Sequence, residues 1–96
     1  MAYQIMWTDP AIQDLEDIVR YLSAQNPQAA ETFASDLWQK VDLLATQPYM
    51  GEIFPSPDQA IRRQILVLPY RVFYRVVEAI HRIEILHIRH SARAEP

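Results

Sequence analysis

As a pattern of apolar and polar positions, the chain has an alternating start, two helical stripes, a proline-rich gap and an alternating final third. Tyr3, Ile5 and Trp7 alternate with Gln4 between them, which predicts a short strand over residues 3–7. Asp9 followed by Pro10 marks a helix start, because the carboxylate accepts from first-turn amides and proline stands where no amide is needed. Ile12, Leu15, Ile18, Val19 and Leu22 recur at helical spacing and carry that helix to about Ala24. Asn26-Pro27 repeats the device. A second helix must therefore fold back on the first, with Ala30, Phe33, Leu37, Val41 and Leu44 as its apolar stripe and Trp38 at the edge of the core.

The helical pattern ends near Gln47. Residues 47–59 hold Pro48, Gly51, Pro55 and Pro57 and read as a stiff loop. Residues 60–68 alternate again, with Ile61, Ile65 and Val67 on one side and Arg62, Gln64 and Leu66 on the other, until Pro69 interrupts pairing. Residues 70–77 and 81–90 read as two more strands joined by a tight turn at Glu78 and Ala79. On the first of these, Val72, Tyr74 and Val76 share one face while Arg71, Phe73, Arg75 and Val77 share the other. The order strand, helix, helix, strand, strand, strand predicts an α+β fold. A helical hairpin covers a three-stranded antiparallel meander, and the N-terminal strand joins that sheet at one edge.

Length and composition fit a single domain over residues 1–96, since half of the residues are hydrophobic and the chain can bury a core. There is no cysteine, which excludes disulfides and thiolate metal sites. The first residues carry no basic region followed by an apolar run, so no signal peptide or membrane span is expected and the expected location is cytoplasmic. The net charge of −3 conceals a division: residues 1–59 set nine acids against Arg20 and Lys40, and residues 60–96 set seven arginines against Glu78, Glu84 and Glu95. Such a division suits an anionic ligand on the sheet, or lets the two halves attract each other.

The closing strand is densest in polar chemistry, with His87, Arg89, His90 and Arg93. Arg62, Arg71, Arg89 and Arg93 are the candidates for holding a nucleic acid or another target, with Tyr70 or Tyr74 to stack a base. Guanidinium stays protonated, so RNA cleavage would require His90 or His87 to move a proton while Arg71 holds phosphate. The competing structural reading pairs Arg71 and Arg75 with helix acids and puts Tyr74 in the core. No metal site is expected, because His87 and His90 stand three apart on a strand and face opposite ways. No cofactor is expected either, since no Gly-rich phosphate loop or nucleophile triad is present. Acidic amphipathic helices argue against a membrane partner.

The ordered motifs W-T-D-P-A-I-Q-D-L-E-D-I at 7–18, N-P-Q-A-A at 26–30, P-Y-M-G at 48–51, P-Y-R-V-F-Y-R-V at 69–76 and I-L-H-I-R-H-S-A-R at 85–93 resemble the RelE/ParE toxin superfamily, often labelled plasmid-stabilisation proteins. The resemblance covers nearly the whole chain. It implies a small growth-inhibiting toxin of a type II toxin–antitoxin system, neutralised by a cognate antitoxin that wraps it and oligomeric with that antitoxin. RelE-like members cut messenger RNA in the ribosome with basic sheet residues and a C-terminal tyrosine or histidine. ParE-like members poison DNA gyrase and need no nucleophile. Arg71 stands at the arginine of the Y-R strand and Arg62 at one of two basic positions on the preceding strand; Gln64 occupies the second, and no tyrosine follows Tyr74. With the long helical hairpin and the leucine-histidine ending, these departures bring the resemblance closer to the ParE-like branch, which implies gyrase inhibition without catalysis. The RelE-like alternative implies a ribosome-dependent endoribonuclease, and a third reading is a non-toxic homologue that only binds its partner. The basic row is expected to attract an acidic antitoxin tail while the helical hairpin receives its helix.

Overall fold

A single asparagine makes the helical hairpin. Asn26 donates its amide to Leu22 O and so ends α1, Asp9–Gln25, while its side chain accepts from Gln28 N at 3.0 Å and so starts α2, Pro27–Leu43. Asn26 alone separates the helices, which forces them back to back. At the other end of α1 the capping residue is Thr8 rather than Asp9. Its hydroxyl accepts from Ala11 N and donates to Ile85 O at 2.7 Å, so the cap also ties the helix to the sheet. The structure is a computed structural model that describes residues 1–92; Arg93, a candidate binding residue, lies outside the described residues.

Among the described residues, five strands make one sheet: β1 Gln4–Trp7, β2 Glu52–Phe54, β3 Arg62–Val67, β4 Tyr70–Val77 and β5 Arg82–His90. Their spatial order is β1-β5-β4-β3-β2. β1 lies at one edge, as expected, and that edge is β5, to which it runs parallel, whereas the other neighbours are antiparallel. Ala11, Phe33, Leu37, Val41 and Leu44 from the helices meet Ile65, Val67, Tyr70, Val72, Tyr74, Ile83, Ile85 and Ile88 from the sheet. Burial of each such large side chain contributes roughly 1.5–3 kcal/mol, which makes this layer the main source of stability. Trp38 is 50% exposed and its ring lies 5.4 Å from that of Trp7, at the rim of the core.

Three features depart from the periodicity. The expected loop contains β2, which adds a strand beyond the three of the meander and pairs Phe54 with Arg62. The β4–β5 connection is a 3-10 turn over Glu78–Ile80, closed by His81 in the left-handed region at φ 54°, so β5 begins one residue late. Finally, β5 carries a bulge: Phe73 pairs with His87 but Tyr74 pairs with Ile85, which leaves Leu86 as an extra residue.

Candidate functional site

The bulge sets what the outer face of the sheet displays. Strict alternation from Ile83 and Ile85 would turn His87 and Arg89 into the core. With Leu86 inserted, Ile88 faces the core instead, and His87 and Arg89 join Arg71, Phe73 and Arg75 of β4 and Arg62 of β3 on the face away from the helices. The sequence carries the signal as a slip in spacing, with isoleucines at 83, 85 and 88.

Most of these cations are held by carboxylates of the chain itself. Arg62 takes Asp58 with two nitrogens, at 3.2 Å and 3.1 Å, and also donates to the Ser56 hydroxyl. The Ser56 hydroxyl, the Ala60 amide and Arg62, in that order, hold the Asp58 carboxyl down at about 2. Arg75 and Arg82 share Glu84 at 2.6 Å and 2.7 Å. That carboxylate is only 5% exposed; Arg75 foremost, with Arg82, keeps it below the usual carboxylate range against the upward pull of burial. Arg89 and His87 both reach Asp14 of α1, at 2.8 Å and 3.3 Å. The Arg71 guanidinium lies 5.5 Å from the Phe73 ring centre.

The groups expected to act together are therefore divided. His90 lies on the helix side, edge-on to Tyr70 at 5.4 Å, and its Nδ1 accepts from Ala92 N. Arg71 and His87 lie together on the outer face, so His90 alone is turned away from the arginine. Arg75 pairs with Glu84 of the sheet rather than with a helix acid as the competing reading has it, and Arg89 of β5 takes Asp14 of α1. Neither tyrosine expected to stack a base lies on the surface. Tyr70 packs against Phe33, and Tyr74 is fully buried with its hydroxyl donating to Pro48 O and accepting from Gly51 N.

What the outer face does offer is a cleft of about 450 Å³, lined by Thr8, Pro10, Phe54, Arg62, Phe73, Leu86 and His87. Phe54 and Phe73 form its apolar floor, with ring centres 4.7 Å apart and planes tilted by 58°. Asp14, Phe54 and Phe73 were not singled out by sequence. Phe54 stood in an expected loop, and Asp14 lies 74 positions from the backbone it holds. Among the described residues, no group of three metal-ligating side chains comes together, and no helix is long and apolar enough to cross a membrane.

Comparison with known proteins gives this face its context. Residues 5–95 match the model of the ParE toxin of type II toxin–antitoxin systems, parDE. The chain belongs to the ParE toxin family. This ParE-family chain is 33% identical to Toxin RelE2 of Caulobacter vibrioides over 94% of its own length and 97% of that protein's. Among solved structures, it is similar to a chain of the chromosomal ParDE toxin–antitoxin system of P. aeruginosa, with a TM-score of 0.73, 25% identity and coverage of 93% and 96% of the two chains. It shares its fold with a chain of the archaeal RelE–RelB complex of Pyrococcus horikoshii OT3, with a TM-score of 0.70, 18% identity and coverage of 98% and 100%. The ParE-family chain is thus a type II toxin of the RelE/ParE superfamily.

Proposed function

We propose that this toxin acts by docking onto its target rather than by cutting nucleic acid, inhibits DNA gyrase in the ParE manner, and is neutralised by a cognate antitoxin. The observation that supports this reading is the separation of the chemistry. General acid–base cleavage needs a proton-transfer group and a phosphate-holding group within hydrogen-bond reach of one substrate. Here His90 is turned to the helix side away from Arg71, His87 on Arg71's face is held by Asp14, and Arg62 and Arg89 are occupied by Asp58 and Asp14. Docking requires only a shaped surface. The similarity to toxins seen in ParDE and RelE–RelB assemblies supports an antitoxin partner.

The test is a pair of assays on the purified chain. Supercoiling by gyrase should fall with added toxin and recover with the co-expressed antitoxin, while ribosome-bound messenger RNA stays intact. Cleaved message with unaffected supercoiling would reverse the assignment. One observation favours that second reading: Asp14 holds His87 through Nδ1, which leaves Nε2 as the nitrogen available to a substrate in the cleft that Arg62 also lines. On that reading His87→Ala abolishes cleavage and His90→Ala does not.

A further inference from the structure

We propose that the groove between α2 and the free edge of β3 is where a second copy of this chain pairs. The two β3 strands run antiparallel about a two-fold axis, and the two α2 helices pack side by side above them. This pairing does not depend on what the toxin acts on, and so goes beyond the docking reading.

An unpaired strand edge is a template for another strand, and folds ordinarily blunt it with charge, proline or a covering side chain. The chain does so at β5, where the Thr8 hydroxyl donates to the carbonyls of Ile85 and Leu86 and Asp14 accepts from the amide of Ile88. It does not do so at β3. β2 pairs with β3 only from Arg62 to Gln64, and among the described residues no strand continues it alongside Ile65, Leu66 and Val67. The run Ile65-Leu66-Val67-Leu68 holds no charge, and Leu66 is 50% and Leu68 76% exposed. Beside this edge opens a groove of about 640 Å³, whose other wall is Asp36, Gln39, Lys40 and Leu43 of α2.

Two features fit the groove to its own copy. The first is charge. The four residues of the helical wall recur at i, i+3, i+4 and i+7 and so form one stripe of α2. Asp36 and Lys40 are both exposed, and neither has an ion-pair partner among the described residues. Two such stripes brought together antiparallel set each Asp36 against the Lys40 of the other copy, twice over by symmetry. The second feature is spacing. α2 touches β4 through Phe33 and Tyr70, with ring centres 5.0 Å apart, and flanks β3 across the groove, so it stands over the line between the two strands. Pairing of β3 with β3 then places the two α2 axes two strand spacings apart, roughly 10 Å. That is the distance at which helices pack. Leu66 and Leu68 gain cross-strand neighbours in the same contact, and Leu43 leaves water.

Sedimentation velocity of the purified chain, separated from any antitoxin, tests the pairing between about 5 and 500 µM, the range suited to a small contact. The weight-average sedimentation coefficient should rise with concentration from the value of a monomer toward that of a dimer. Asp36→Lys and Lys40→Asp should each weaken dimerisation about tenfold, because each turns two exposed attractions into two repulsions. The two substitutions together should restore it to within about threefold of wild type, since the charges are then exchanged and complementary again. Leu66→Lys, which puts a charge on the free edge, should leave only monomer. Glu31→Lys makes the same change of charge on α2 outside the groove and should alter dimerisation less than about twofold. All of these positions are exposed, so circular dichroism melts at low concentration should match wild type and separate lost pairing from lost folding. Monomer at the highest concentration, no recovery in the doubly substituted chain, equal weakening by Glu31→Lys, or growth beyond a dimer would each overturn the proposal.

Discussion

Asp14 Oδ2 accepts the backbone amide of Ile88 at 3.0 Å, across 74 positions of sequence. β1 pairs with β5 only as far as Ile85, and a strand edge beyond that point would expose unpaired amides. Asp14 covers this stretch with a side chain in place of a strand. The same oxygen takes Arg89 at 2.8 Å and His87 at 3.3 Å, so one carboxylate fixes three consecutive residues of the bulged strand.

Asp14→Ala should therefore destabilise the chain by about 2 kcal/mol, the usual cost of removing a charged acceptor from part-buried donors. Asp14→Asn keeps an acceptor for Ile88 but loses the charge facing Arg89, and should cost about half as much. Urea denaturation midpoints check both, with an unchanged slope as the sign that compactness is preserved.

Gly51 and Tyr74 form a second clasp. The Tyr74 hydroxyl accepts from Gly51 N at 2.9 Å and donates to Pro48 O at 2.8 Å, which pins the otherwise irregular stretch before β2 to the core. A Cβ at Gly51 would stand 2.5 Å from that hydroxyl and 2.8 Å from Gln64 O. Gly51→Ala should cost roughly 1–3 kcal/mol through overpacking. Tyr74→Phe should cost about 1–3 kcal/mol through two orphaned buried groups. The double variant should cost less than the sum, because the hydroxyl clash disappears while those with ring carbon Cε1 at 2.7 Å and with Gln64 O remain. Thermal unfolding of the four proteins measures the coupling.

Glu84 gives the fold an acid limit. Its folded carboxyl is held below its unfolded value, so its contribution is fully present above the ordinary carboxylate pKa and is lost as pH falls through the folded value. Wild-type stability should fall from about pH 5 downward. Glu84→Gln should be less stable at neutral pH and should lose less on acidification. Parallel pH dependences in the two proteins would exclude Glu84 as a source of the limit.

Deleting Leu86 should be tolerated. Removal of the extra residue restores regular pairing and leaves His87, Ile88 and Arg89 on their present faces. The expected cost is about 1–3 kcal/mol for lost apolar cover and the weakened Thr8 contact. Deleting Ile83 instead shifts one part of β5 to the wrong face and should abolish cooperative unfolding. Circular dichroism melts separate the outcomes.

The local elements were legible because they depend on neighbours in sequence. Asn26-Pro27 punctuates the hairpin by its own hydrogen bonds, and the periods of α2 and β4 assign Leu37, Val41, Val72 and Tyr74 to the core. The charge division was equally readable, since it is a property of composition. The pairing of β1 with β5, the short strand around Ile53 and the partners of each arginine depend on which distant segments meet. Asp14, Asp58 and Glu84 look alike as letters on an acidic background. Only tertiary packing brings Asp14 to the open edge of β5, where desolvated donors make one carboxylate matter more than its exposed neighbours on α1. The apolar cleft beneath Arg62 has the same origin: Phe54 and Phe73 lie 19 positions apart, and the sheet alone makes them touch.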